Sequence, residues 1–432
     1  MNATDKQILT ETKLKRIAWL SERDKDKEFN QLIHLFNEES LKECFYMLKK
    51  DKAVGIDGVT KEEYERQLDE NIKDLITRMK RMQYRPGNVR EVLIPKEGKA
   101  NATRPLGISN LEDKIIQKMM QRILEAIYEP LFRKSSYGFR TGRGCHDAVR
   151  ALYQHVYSKP VGIVLDVDIK NYFGSIRHSE LENILRTKIK DQTFMRYMIR
   201  MFKAGILRQG ELTISEEGVM QGSICTPILA NIFAHHVIDE WFEDEVVKRC
   251  KGKVAMTRYA DDICIASEYN YDAERIRKGL AQRLNKFKLE LNTEKTTMVN
   301  FKPKEGGRFD FLGFTFYWGK SRKGNITPKV KTAKSRLRSK LKKMKQWIKG
   351  VRNKCKLKEI WDILKCKIAG HIQYYGVTFN YMEVKRYIAS TIRIIFKWLN
   401  RRSQRISLSQ TKLNQFMEIN PLPRAKICHK LH

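Results

Sequence analysis

An α+β protein whose last quarter is helical and cationic is what the sequence predicts, on three observations. Short branched-apolar runs such as "VGIVLDV" (161–167) have the length and composition of buried strands. Longer stretches, "NLEDKIIQKMMQRILEAIYEPLF" (110–132) among them, repeat apolar residues at helical spacing. Residues 321–432 hold 29 Lys or Arg against 4 Asp or Glu, a net +25 of the chain's +35.

Taken in order, residues 29–49 read as one or two amphipathic helices, "VGIDGVT" (54–60) as a tight turn, and 61–82 as helix again. "VREVLIPKEGKANATRPLGIS" (89–109) reads as two strands around a polar, basic loop. In 110–132, Asn110 is placed to cap the helix and Glu112–Asp113 favour its positive end. A strand turning into a helix follows at 161–176, then a glycine turn feeding a long helix at 216–246. "TRYADDICIAS" (257–267) reads as a β-hairpin with two acids near its turn, before a helix at 272–288 and the runs "LNTEKTTMVNF" and "FDFLGFTFYW". Beyond about residue 320 a helical pattern is expected to the end.

Composition narrows the function. A chain of 432 residues has room for two or three cores, and 41% hydrophobic residues argue against general disorder. No apolar run approaches the roughly 18 residues that span a bilayer, and the N-terminal stretch lacks a signal-peptide core, so a soluble, intracellular protein without a membrane partner is expected. Eight scattered cysteines form no C-x-x-C pair and read as reduced thiols, and His235–His236 carries no metal-ligand spacing. The cationic excess fits a polyanion: nucleic acid first, an anionic membrane surface as the rival.

Asp261 and Asp262 stand adjacent inside an apolar stretch, and the strand at 161–168 also ends on acids, Asp166 and Asp168. If the fold gathers Asp168 beside the pair, their repulsion calls for hard divalent cations, chiefly Mg²⁺. Two such ions would serve an in-line phosphoryl transfer. An exposed hairpin turn, where aspartates are common, is the other reading of the same pair.

The ordered series "LDVDIKNYF", "QGSICTPILANIF", "RYADD" resembles that of reverse transcriptases, and more narrowly the group II intron-encoded reverse transcriptase/maturase proteins of bacterial type. The resemblance runs over nearly the whole chain. It takes in "NQLIHLFNEESL", "VGIDGVT", "VLIPKEGKANATRPLGI", "SSYGFRTGRGCHDAV", "LNTEKT", "FDFLGFTF" and the maturase-like "IAGHIQYYGVTF". It implies a right-hand polymerase: N-terminal extension and fingers over 1–110, palm with remaining fingers elements over 111–318, and a thumb/X domain over 319–432. It also implies that Asp168, Asp261 and Asp262 are catalytic and bind two Mg²⁺ ions, with Mn²⁺ as a substitute. Phe173 matches the gate against a ribose 2′-OH, and Lys96 and Arg104 the cations facing the incoming triphosphate. Gln221 and Gly222 match the nucleotide-pocket turn, and Lys295 a proton donor to pyrophosphate. Thr226 stands where the family's Q-G-x-x-x-S-P has Ser, which implies a small change in template fit. The sequence ends without a Cys/His-rich nuclease segment, so an endonuclease domain is not expected.

In "VKTAKSRLRSKLKKMKQWIKG" (330–350), Leu337, Leu341, Met344 and Ile348 share one helix face, with Arg338, Lys342, Lys343 and Lys345 left to track phosphates. Tyr374 and Tyr375 are candidates for stacking on bases. The expected partners are an RNA template with a DNA or RNA primer, dNTPs and a group II intron RNA, in a bacterial cytoplasmic ribonucleoprotein, with a homodimer left open. A free-standing host reverse transcriptase and a splicing cofactor with an unused polymerase are the alternatives.

Overall fold

The computed structural model describes all residues except 1–2, 96–102, 159, 209–210, 214–215, 220, 304, 322 and 402–407. Among the described residues the strands are β1 (Val89–Pro95), β2 (Thr103–Ile108), β3 (Ile163–Val167), β4 (Ile206–Arg208), β5 (Glu211–Thr213), β6 (Val254–Tyr259), β7 (Asp262–Ser267), β8 (Thr297–Asn300), β9 (Arg308–Phe311), β10 (Phe314–Lys320) and β11 (Ile326–Thr332). They form three sheets, in the orders β2-β1-β4-β5, β6-β7-β3-β8 and β11-β10-β9. With helices before, between and after them, the architecture is the α+β class expected.

The β6-β7-β3-β8 sheet is antiparallel throughout and divides the interior in two. Leu165, Val167, Ile263 and Ile265 pack into one core with the helices Leu111–Tyr128 and Thr226–Ala234. Val164 and Cys264, pointing the other way, join a second core with the β9–β11 sheet and the C-terminal helices. A strand buried on both faces must be apolar at successive positions, which is why 161–167 reads as a continuous branched run rather than an alternating one. That sheet is therefore a rigid wall, and its ends are firm places to hold charged side chains.

Three elements depart from the sequence reading. A helix covers Ala3–Arg23, ahead of the first one expected. The long helix after residue 226 widens into π turns at His235–Asp239 and Trp241–Val246. The chain beyond residue 320 is not yet helical: Ile326–Thr332 is β11, paired with β10 from Ile326↔Lys320 to Thr332↔Phe314. Its buried Pro328, Val330 and Thr332 alternate with partly exposed Thr327, Lys329 and Lys331, a two-residue period that the lysines disguise. Helices then follow at Lys334–Val351, Leu357–Tyr375, Tyr381–Leu399 and Gln410–Ile419.

Candidate active site

The hairpin β6–β7 closes in a two-residue turn, because Tyr259 pairs with Asp262 and leaves Ala260 and Asp261 at the tip. Ala260 takes φ +57°, a conformation unusual for a residue with a side chain. The segment Ser135–Gly138 presses on that turn: Arg258 N–H donates to the Ser135 carbonyl at 2.8 Å, and Tyr137 N–H donates to the Arg258 carbonyl at 2.9 Å. A Cβ at Gly138 would stand 2.4 Å from the Ala260 nitrogen, so only glycine permits the approach.

The register brings the acids together. Asp166 lies opposite Cys264 and Val167 opposite Ile263, so Asp168, one residue past β3, stands at the sheet end where β7 begins with Asp262. Their mutual influence agrees with that placement. Burial, then Asp261 and Asp168, push the Asp262 carboxyl up to about 6 although part of its surface stays open to solvent. Asp261 is raised by burial, with Asp168 adding to it and Arg258 opposing. Asp166 is pushed up to about 6 by burial, then by Asp262, Asp168 and Asp310.

Asp168 is tied from a third segment. Its Oδ2 accepts from Asn292 Nδ2 at 2.7 Å and from Lys295 Nζ at 3.1 Å, while Asn292 N–H donates to its carbonyl at 2.8 Å. Its own N–H donates to Thr296 Oγ1 at 3.2 Å. Lys295 thus joins the acids, in a pair whose side chains are 56% and 41% exposed and which solvent weakens. Among the described residues no three His, Cys, Asp or Glu side chains are grouped closely enough to hold a metal ion as they stand. The chemistry of Asp168, Asp261 and Asp262 nonetheless suits a hard cation: carboxylate oxygens, with burial and the neighbouring carboxylates raising Asp261 and Asp262.

Phe173 sits on the short helix Tyr172–Ser175, just after the left-handed Asn171. Its ring is half-buried against the first core and edge-on to Tyr172 at 5.4 Å, and its carbonyl accepts from Val219 N–H at 2.8 Å. Gln221 and Gly222 lie against β2: Gly107 N–H donates to the Gln221 carbonyl at 2.7 Å. Gly222 has φ +113°, and a Cβ there would fall 2.3 Å from the Gly107 carbonyl oxygen. Arg104 is exposed on β2 opposite Ile94, two residues from Lys96, which lies outside the described residues.

Arg338, Lys342, Lys343 and Lys345 are exposed on the helix Lys334–Val351, while Leu337, Met344 and Ile348 are buried. At the far end of that helix Lys345, Lys349, Arg352 and Arg401 all stand over the Trp398 ring. Of the two candidate tyrosines, Tyr374 stays partly exposed and Tyr375 corrects the sequence reading. Tyr375 is only 4% exposed and, with Tyr374, packs on Phe314; Tyr374 Oη also donates to the Leu312 carbonyl at 2.9 Å. Both rings buttress the β9–β10 turn, and Tyr375 has no open face for a base. The residues that sequence reasoning passed over are Asn292, Thr296, Arg336, which opposes the raised proton affinity of Asp262, and Arg258. Asn292 and Thr296 lie within "LNTEKT", the one signal that pointed to them.

Residues 94–316 match the family model described as reverse transcriptase (RNA-dependent DNA polymerase). Protein YkfC of Escherichia coli is 29% identical over 353 residues, covering 74% of this chain and 91% of the relative. Group II intron-encoded protein LtrA of Lactococcus lactis is 32% identical over 225 residues, covering 52% of this chain and 37% of the relative. An uncharacterized 91 kDa protein in a cob intron of Schizosaccharomyces pombe is 33% identical over 251 residues, 56% of this chain and 30% of the relative. The aligned part thus spans about a third of the length of these last two.

Proposed function

The chain belongs to the reverse transcriptase (RNA-dependent DNA polymerase) family, and from that premise we propose that it extends a primer with deoxynucleotides on an RNA template and also binds a group II intron RNA to assist its splicing. In this reading the β6-β7-β3-β8 sheet is the palm, the β2-β1-β4-β5 sheet the fingers, and the helices after residue 333 the thumb. The observation that carries it is the convergence of Asp168, Asp261 and Asp262 on one sheet end, where Asp168 and Asp261 both raise the proton affinity of Asp262.

Asp168, Asp261 and Asp262 would hold divalent ions, Mg²⁺ with Mn²⁺ as substitute. When bound, those ions would stabilise charge on the attacking and leaving oxygens. The remaining tasks belong to the chain. Phe173 sets an apolar ring where a 2′-OH would have to be desolvated without a partner, which favours deoxyribose. Arg104 and Lys96 neutralise the triphosphate. Gln221 and Gly222 line the nucleotide pocket with a turn seated on β2, a close approach that a side chain at 222 would prevent. Lys295 Nζ, 3.1 Å from Asp168, keeps a proton at the edge of the site for the departing pyrophosphate.

The exposed cations of Lys334–Val351 supply the long phosphate track that a template–primer duplex and a folded RNA both need. The intron assignment leans on the names of relatives such as LtrA and on the "IAGHIQYYGVTF" segment. The experiment is primer extension by the full chain on oligo(dT)-primed poly(rA) with dTTP and Mg²⁺, beside filter binding to a group II intron RNA and a length-matched control. Extension that stops with chelator, and preference for the intron, are the expected results. No extension with either Mg²⁺ or Mn²⁺ overturns the polymerase reading, and equal binding of both RNAs overturns the intron reading.

A further inference from the structure

One cation among the described residues is fully enclosed and fully used. Arg258 and Asp239 side chains are both 0% exposed. Arg258 Nε donates to Asp239 Oδ1 at 2.7 Å and Nη2 to Asp239 Oδ2 at 2.5 Å. Nη2 also donates to Ser136 Oγ at 2.7 Å, and Nη1 donates to Asn231 Oδ1 and to the Ala260 carbonyl, both at 3.1 Å. A guanidinium has five N–H groups, and here each has an acceptor. Four of these bonds anchor the group to the surrounding fold, and the fifth reaches the turn residue that precedes Asp261.

The anchors come from segments that the chain keeps far apart. Ser136 lies in the stretch that presses on the turn, and Asn231 ties the same stretch by donating from Nδ2 to the Gly138 carbonyl at 2.6 Å. Asp239 stands eight residues beyond Asn231 on one long helix, which in α geometry would leave the two about 80° apart around the axis. The π turn His235–Asp239 widens the helix at that point and brings both side chains onto one guanidinium.

We propose that Arg258 is a positioning residue for the catalytic turn: its guanidinium, fixed by Asp239, Asn231 and Ser136, holds the Ala260 carbonyl and so sets where Asp261 and Asp262 stand. The proposal takes the word catalytic from the polymerase reading, while the clamp itself stands on the geometry. A buried ion pair is a poor means of adding net stability, since apolar side chains of similar volume usually do as well. It does fix directions. Ala260 is held in a conformation that its side chain disfavours, at φ +57°, and the donor at its carbonyl is the group that opposes its relaxation.

The test separates positioning from packing. Arg258→Met combined with Asp239→Leu removes both charges together, the change that most often spares stability. The full-length double variant is expected to keep its circular dichroism and thermal midpoint, and its KM for dTTP and its affinity for RNA. Its kcat in primer extension should fall by about tenfold or more, the scale expected when reacting groups are misplaced by an ångström or less. Hydrogen exchange at residues 259–262 should accelerate. Wild-type kcat and exchange in the folded double variant would overturn the proposal. Should that variant not fold, Arg258→Lys decides: it keeps the charge beside Asp239, but one nitrogen cannot also hold Ala260, so a similar loss of kcat supports the clamp and wild-type kcat refutes it. If the wild-type chain does not extend primers, the polymerase reading has failed, and the exchange rates alone judge the clamp.

Discussion

Within five residues one hairpin handles charge in two opposite ways. At Arg258 a cation is buried completely and every donor is met, with Asp239 held ionised beside it; burial alone would raise that carboxyl, but the guanidinium's charge and hydrogen bonds bring it below its ordinary value. At Asp261 and Asp262 two acids face a third, Asp168, and both are driven up instead. The first arrangement is complete as it stands. The second is left in tension, because the exposed Lys295–Asp168 pair and the nearby arginines only partly offset the repulsion. Rigidity and unmet charge sit side by side because the first makes the second tolerable: removing one partner of a buried pair costs about 3–5 kcal/mol, so the frame does not yield to the repulsion it carries.

The largest break in this comparison is at the acids. Asp261→Asn should lower primer extension by roughly a thousandfold or more, the scale on which electrostatic groups at reacting atoms act, while RNA binding measured by filter retention stays within about twofold. Near-normal extension would remove the metal role from Asp261. Next comes the cationic helix. Replacing Lys342, Lys343 and Lys345 together with Gln should reduce the slope of log affinity against log salt by about 2, at roughly 0.7–0.9 for each phosphate no longer neutralised, without moving kcat at saturating template. An unchanged slope would shift the nucleic-acid track to other surfaces. A smaller effect is expected at the gate: Phe173→Ala should raise ribonucleotide incorporation relative to deoxyribonucleotide by about tenfold, comparable to discrimination by a few apolar contacts. Equal sugar selectivity in sequencing of the products would exclude Phe173 from that role.

The same contrast between met and unmet charge explains which features are legible in the sequence. The acids stand out because charged residues in branched-apolar runs are conspicuous: Asp166 and Asp168 end one such run, and Asp261–Asp262 interrupt another. The clamp does not. A lone Arg in a strand reads as a solvent-facing side chain, and its partners at 136, 231 and 239 carry no common spacing; the π turn that aligns two of them has no signature in composition. Strand β11 is hidden by its own lysines, whose stems line a half-covered face while the sequence shows only charge. Tyr375 misleads for the converse reason: an aromatic among cations suggests base stacking, yet a C-terminal core built around Phe314 needs that ring inside.

The subtlest test uses pH to ask whether the tension at the acids is real. The Asp262 carboxyl is pushed to about 6 from an ordinary value of 3.8, so the folded protein binds a proton more tightly than the unfolded chain does. Stability contributed by this group is therefore greatest in acid and declines as pH rises through the interval from 3.8 to about 6, then stays level. Asp262→Asn removes the charge that is resisted. Because the Asp262 side chain is exposed and solvent screens much of the repulsion, the gain without divalent ions should be small, about 1 °C in thermal midpoint at pH 8 and none at pH 4. Adding Mg²⁺ at pH 8 should reverse the order, because a ligand that binds only the folded acid form stabilises the wild type by mass action. If Asp262→Asn lowers the midpoint at pH 8 without Mg²⁺, the acids are not in opposition, and the contrast with Arg258 fails at the point where it is sharpest.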